Sequence, residues 1–147
     1  MKELIKKMVA IQSELKAPKN QVNSFGKYKY RSCEDIIEAV KPLLAKHQLY
    51  MNISDSVVEI GGKNYVEALV TIYDGENQLT TKAYARESLD KKGMDDAQQT
   101  GATSSYSRKY ALSGCFGLDD TKDADATNTH GKEATPVNSF KPSSSLL

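Results

Sequence analysis

The chain has 147 residues, with 39% hydrophobic and 27% charged side chains, enough for one domain with a modest core plus a tail. No apolar run approaches the about 20 residues that a membrane span needs, and Met1 opens no charged-then-apolar leader, so a soluble, cytoplasmic protein is expected. The formal net charge of +1 hides an asymmetry that points to a polyanionic partner: residues 1–118 carry 17 Lys/Arg against 14 Asp/Glu, residues 119–147 carry 3 against 5, and residues 1–31 hold 8 against 2.

Residues 2–16 read as an amphipathic helix. Leu4, Met8, Ile11 and Leu15 recur four and three apart, widened by Ile5 and Val9, with Lys2, Lys6 and Lys7 opposite. Pro18 and the polar run Lys19-Asn20-Gln21 end it. This stripe can dock on its own domain or on a neighbouring subunit, and the subunit contact is preferred. Residues 25–31 read as extended: Lys27, Lys29 and Arg31 alternate with Tyr28 and Tyr30, giving one cationic and one aromatic face.

A second helix is predicted from Ser32, with Asp35 completing a variant capping box. Ile36, Ile37, Val40, Leu43, Leu44 and His47 form its inward face, and Pro42 is expected to kink it or end it early. Residues 50–60 are strand-like but irregular and stop at the turn Gly61-Gly62. Residues 65–73 alternate cleanly, with Val66, Ala68, Val70 and Ile72 on one face. After the tight connection Asp74-Gly75-Glu76-Asn77, residues 79–86 place Leu79, Thr81, Ala83 and Ala85 opposite Thr80, Lys82, Tyr84 and Arg86. The second of these faces repeats the cation–aromatic theme. An antiparallel meander with one face covered by helices follows, an α+β fold.

Residues 88–96 are charged, contain Gly93 and read as a mobile loop into a third helix from about Asp96 to about Phe116, closed by Gly117. The core domain is therefore placed at 1–118. Residues 119–147, rich in Asp, Thr, Asn, Ser and Pro, have too little to bury and are expected to be disordered. Cys33 and Cys115 have no C-x-x-C spacing and read as small buried hydrophobes.

The third helix carries the strongest functional signal. It opens on small and hydroxyl residues, then sets Arg108 and Lys109 between Tyr106 and Tyr110. Small, cationic and aromatic groups together suit nucleic acid, whereas a merely packed amphipathic helix would use the tyrosines as core. On a wheel at about 100° per residue, Leu112, Phe116, Ala102, Tyr106 and Tyr110 share the arc expected to pack, with Lys109 snorkelling at its edge. Arg108 falls with Gly101, Ser104, Ala111 and Cys115 on the arc expected to face a phosphate backbone or a neighbouring subunit. Arg108 is the preferred phosphate contact, with Lys109 and the hydroxyls of Ser104 and Ser105 beside it.

Enzymatic readings fare poorly. There is no G-x-x-x-x-G-K-[ST] loop, the histidines are limited to His47 and His130, and no Cys/His cluster suggests zinc. Asp119, Asp120, Asp123 and Asp125 read as a solvated acidic run rather than a divalent metal site. No catalytic residue, cofactor or metal is expected. A regulatory or sequence-preferring nucleic-acid module and a metal-dependent nuclease remain as rival classes. The first should form a small fixed oligomer, and the second should consume its substrate in magnesium.

Tyr28-Lys29-Tyr30-Arg31-Ser32, Glu34-Asp35-Ile36 and Val40-Lys41-Pro42-Leu43-Leu44 together resemble the first signature of the ERF family of phage single-strand annealing proteins. Residues 101–112, Phe116-Gly117-Leu118, Asp119-Asp120 and Asp123-Ala124-Asp125 resemble its second. The likeness covers about residues 4–125. It implies a β-meander crossed by a long helix, similar to the core of eukaryotic recombination annealing proteins, and assembly into rings or helical filaments. It also implies ATP-independent binding of single-stranded DNA and annealing of complementary strands. The DNA groove would be lined by Arg108 and Lys109 together with Lys27, Lys29, Arg31, Lys82, Tyr84 and Arg86. A host single-strand-binding protein is a further partner the family pattern suggests, and the short, low-complexity tail is where this chain departs from that pattern.

Overall fold

The computed structural model describes residues 1–87 and 93–119. The expected loop is described only from Gly93 onward, and the tail from Asp120 lies outside the described residues. In chain order come α1 (Lys2–Glu14), β1 (Gln21–Asn23), β2 (Tyr28–Tyr30), α2 (Cys33–His47), β3 (Tyr50–Ile60), β4 (Lys63–Tyr73), β5 (Gln78–Arg86) and α3 (Asp96–Phe116). β3, β4 and β5 form an antiparallel meander, and β1 pairs with β2 in a separate hairpin. The α+β expectation holds.

Each turn follows from its residues. Gly61 and Gly62, both at positive φ, make the two-residue connection that a right-twisted hairpin prefers. The Asp74 carboxylate accepts from the Glu76 and Asn77 amides at 2.8 and 2.7 Å, which holds its carboxyl below the ordinary carboxylate range. Ser32 caps α2, and Asp35 accepts the Ser32 amide at 2.8 Å in return. α3 carries a capping box of Asp95 and Gln98 at one end and Gly117 in the left-handed conformation at the other.

The core lies between the sheet and the helices. Leu4, Met8 and Ile11 of α1, Ile36, Val40 and Leu44 of α2, and Ala68, Val70 and Ile72 of β4 meet Ala111, Leu112 and Phe116 of α3. The stripe of α1 thus docks on its own domain, correcting the preferred subunit contact. Leu4, Met8, Ile11 and Leu15 find apolar surface on the domain and are buried, while Ile5 and Val9 at the margin of the stripe stay exposed. Pro42 does not end α2, which runs on to His47. Pro42 lies on the exposed side of the helix, where the carbonyl deprived of its donor can turn to water.

The rotation of α3 differs most from expectation. Its buried face is Thr103, Ser107, Ala111, Leu112, Ser113, Cys115 and Phe116, while Tyr106 and Tyr110 are 52% and 46% exposed. Ala111 and Cys115, placed on the open arc by the wheel, are in the core. Small groups share that face with the large side chains of Leu112 and Phe116. Gly114 lies beside the Thr81 methyl, where an added Cβ would sit 3.5 Å away in ordinary contact, and α3 packs across β4 and β5. Thr103 donates to the Gln99 carbonyl at 2.8 Å and Ser107 to the Ser104 carbonyl at 3.1 Å, so their hydroxyls enter the core already partnered.

Candidate nucleic-acid interface

The chemistry-bearing residues divide over three places. The first is a cleft of about 440 Å³ between the β1–β2 hairpin and α3. Tyr28 and Tyr30 line one wall, and Ala102, Ser105, Tyr106, Lys109 and Tyr110 the other. The two hairpin rings meet edge to face, with centroids 6.1 Å apart. Tyr106 and Tyr110 stack at 6.3 Å with 18° between their planes. The Lys109 ammonium lies 5.3 Å from the centre of the Tyr30 ring, so the cation bridges the two walls.

The hairpin is braced from within. The Asn23 side chain accepts from the amides of Phe25 and Gly26 at 2.8 and 3.0 Å, and its amide donates to the Tyr28 hydroxyl at 3.1 Å. Lys27, at positive φ, and Lys29 are exposed on this hairpin. Arg31 turns the other way. It is buried, donating to the carbonyls of Ala17 at 2.6 Å and Asp119 at 3.0 Å, and so fastens the exit of α1 to the end of α3. The expected cationic row therefore loses Arg31, because β2 stops at Tyr30 and the chain bends inward to start α2. Cys33, at the cleft floor, has its thiol pushed up by burial and then by the Glu34 charge, and it is a free cysteine as expected.

The second place is the meander face turned away from the helices, where Thr80, Lys82, Tyr84 and Arg86 are exposed as predicted. Glu67 faces Tyr84 across the ladder. It accepts the Tyr84 hydroxyl at 2.7 Å, which raises that phenol's pKa, and pairs with Lys82 at 3.9 Å. Arg86 also lines a smaller recess of about 130 Å³ with Ala102 and Tyr106, so Tyr106 is shared between this recess and the main cleft.

Arg108 and Ser104 form the third place. The Arg108 Nε donates to both carboxylate oxygens of Asp55 at 3.1 and 3.2 Å, and the Ser104 hydroxyl donates to the same carboxylate. The pair is part-buried, with Arg108 35% and Asp55 25% exposed at the side chain. Sequence reasoning missed Asp55 and Glu67, and named Glu34 only within the family signature, without a role. The alternation of residues 50–60 is too irregular to reveal Asp55 on the helix-covered face, and the role of Glu67 depends on the register of β4 with β5. Among the described residues no group of three or more His, Cys, Asp or Glu is placed to hold a metal, and no helix is long and apolar enough to cross a membrane.

The model of the ERF superfamily matches residues 4–145. A relative from Salmonella phage P22, called "Essential recombination function protein", is 58% identical over 146 residues, covering 98% of this chain and 70% of the relative. No solved structure matches.

Proposed function

The chain belongs to the ERF superfamily, and from that premise we propose that it binds single-stranded DNA and anneals complementary strands, without nucleotide hydrolysis, in phage recombination within the bacterial cytoplasm. The name of the phage P22 relative supports the recombination role. The observation that carries strand binding is the meeting of Lys109 with four tyrosines at the junction of hairpin and α3. Rings stack on bases without regard to sequence, and flanking cations hold phosphates. Lys27, Lys29 and Arg86 lie on the elements around this junction.

A core with 17 basic against 14 acidic residues over 1–118 holds a long strand poorly. A ring or helical filament would repeat the same few cations along a continuous track. Among the described residues β3 and β5 each pair on one side only, and Ile5, Val9, Val57 and Ile60 are exposed. These features support self-assembly.

Asp55 takes the Arg108 Nε and Ser104 hydroxyl donors, which a phosphate oxygen could otherwise accept from. Asp55→Asn keeps the shape and removes the charge. Affinity for a single-stranded oligonucleotide should rise severalfold, and the fall of log affinity with log salt should steepen by about 0.7, one added phosphate contact. Arg108→Ala should make the slope shallower by the same amount. An unchanged affinity and slope in both variants would remove Arg108 from the strand path.

A further inference from the structure

We propose that the cleft between the β1–β2 hairpin and α3 is a pocket for one unpaired nucleobase of the bound strand, so that each protomer withdraws a base from the pool available for pairing. This rests on the strand-binding reading and adds to it. Annealing by itself asks only that phosphates be held and bases left free, and a backbone track would suffice. The cleft is built for something else.

Its volume of about 440 Å³ falls within the range of about 300–1,000 Å³ typical of small-molecule sites. Four tyrosine rings stand on its lining, and a phosphate would lose its hydration against them with little in return. Of the two cations on the lining, Lys109 already lies over Tyr30. Arg31 is engaged with backbone carbonyls. The exposed Glu34 carboxylate, also on the lining, repels an anion but accepts a hydrogen bond from the exocyclic amino group of a base.

A flat, weakly polar ring fits these surroundings. Tyr106 and Tyr110, stacked at 6.3 Å, leave no room for a base between them, so a base extends their stack from the cleft side. The Ser105 hydroxyl and the Glu34 carboxylate then meet its edge. Arg86 lies in the recess on the other side of Tyr106, where the neighbouring phosphate can be held. The pocket thus separates the roles of ring and cation that a backbone track would merge, and base release becomes a step in annealing.

The test compares a deoxycytidine oligonucleotide, whose base carries the exocyclic amino group, with one of equal length carrying abasic sites throughout, bound to the full chain across a salt titration. The intact strand should bind at least about tenfold tighter, in keeping with the value of stacking per base, and the salt slopes should match because the phosphates are the same. A single 2-aminopurine placed in the intact strand should lose fluorescence on binding and keep it with Tyr106→Ala, a substitution at a half-exposed position. Equal affinity for intact and abasic strands, or fluorescence unchanged on binding, overturns the pocket while leaving strand binding in place. Failure of the intact strand to bind at any salt overturns the strand-binding reading and the pocket with it.

Discussion

Arg31→Ala should lower the free energy of unfolding by about 2–4 kcal/mol, since hydrogen bonds from a charged donor contribute about 1.5–3 kcal/mol each and a buried acceptor left without one is costly. Arg31 is 8% exposed and donates to the Ala17 and Asp119 carbonyls, 14 and 88 residues away in sequence. Its loss leaves those carbonyls short of a donor and loosens α1 from α3. Arg31→Lys should recover only part of the loss, because one ammonium lacks the planar fork that reaches two acceptors. Urea unfolding checks the magnitude. Unchanged stability with a shallower salt slope for DNA would instead place Arg31 on an exposed cationic row.

Ser107→Leu should cost about 1–3 kcal/mol or more, by forcing extra methylenes into the gap between α3 and the sheet. Ser107 has no exposed surface, and Gly114, seven residues further along α3, lies beside the Thr81 methyl. Ser105→Leu, two residues away on an exposed position, should change stability by no more than about 0.5 kcal/mol. Thermal melts of the two variants separate the faces directly. Equal melting points would mean that α3 does not pack on its serine side.

The contrast explains why the elements were legible in the sequence and the rotation of α3 was not. Period-2 alternation in β4 and β5, the capping box at Ser32 and the terminating Gly117 are local signals, and each appears where the residues put it. Hydropathy, however, marks a helix face by large apolar groups. In α3 the buried face mixes Leu112, Cys115 and Phe116 with Thr103, Ser107, Ala111 and Ser113, small or polar groups whose burial hydropathy does not mark. The tyrosines drew the packed arc toward themselves and proved to be the exposed wall of a cleft.

The cationic residues divide in the same way. Lys82, Tyr84 and Arg86 were readable because strand alternation fixes their face. Arg31 looked like its neighbours Lys27 and Lys29 until the chain turned inward, and β1 was missed because a three-residue strand carries no period. The partners of the cations, Asp55 and Glu67, depend on packing and register between distant elements.

The most direct test of the annealing function is to mix two complementary oligonucleotides with the full chain in EDTA, with no nucleotide present, and follow duplex formation. Duplex should form faster than with the oligonucleotides alone, with both strands intact after magnesium is restored. No acceleration, a requirement for ATP, or strands shortened in magnesium would contradict it.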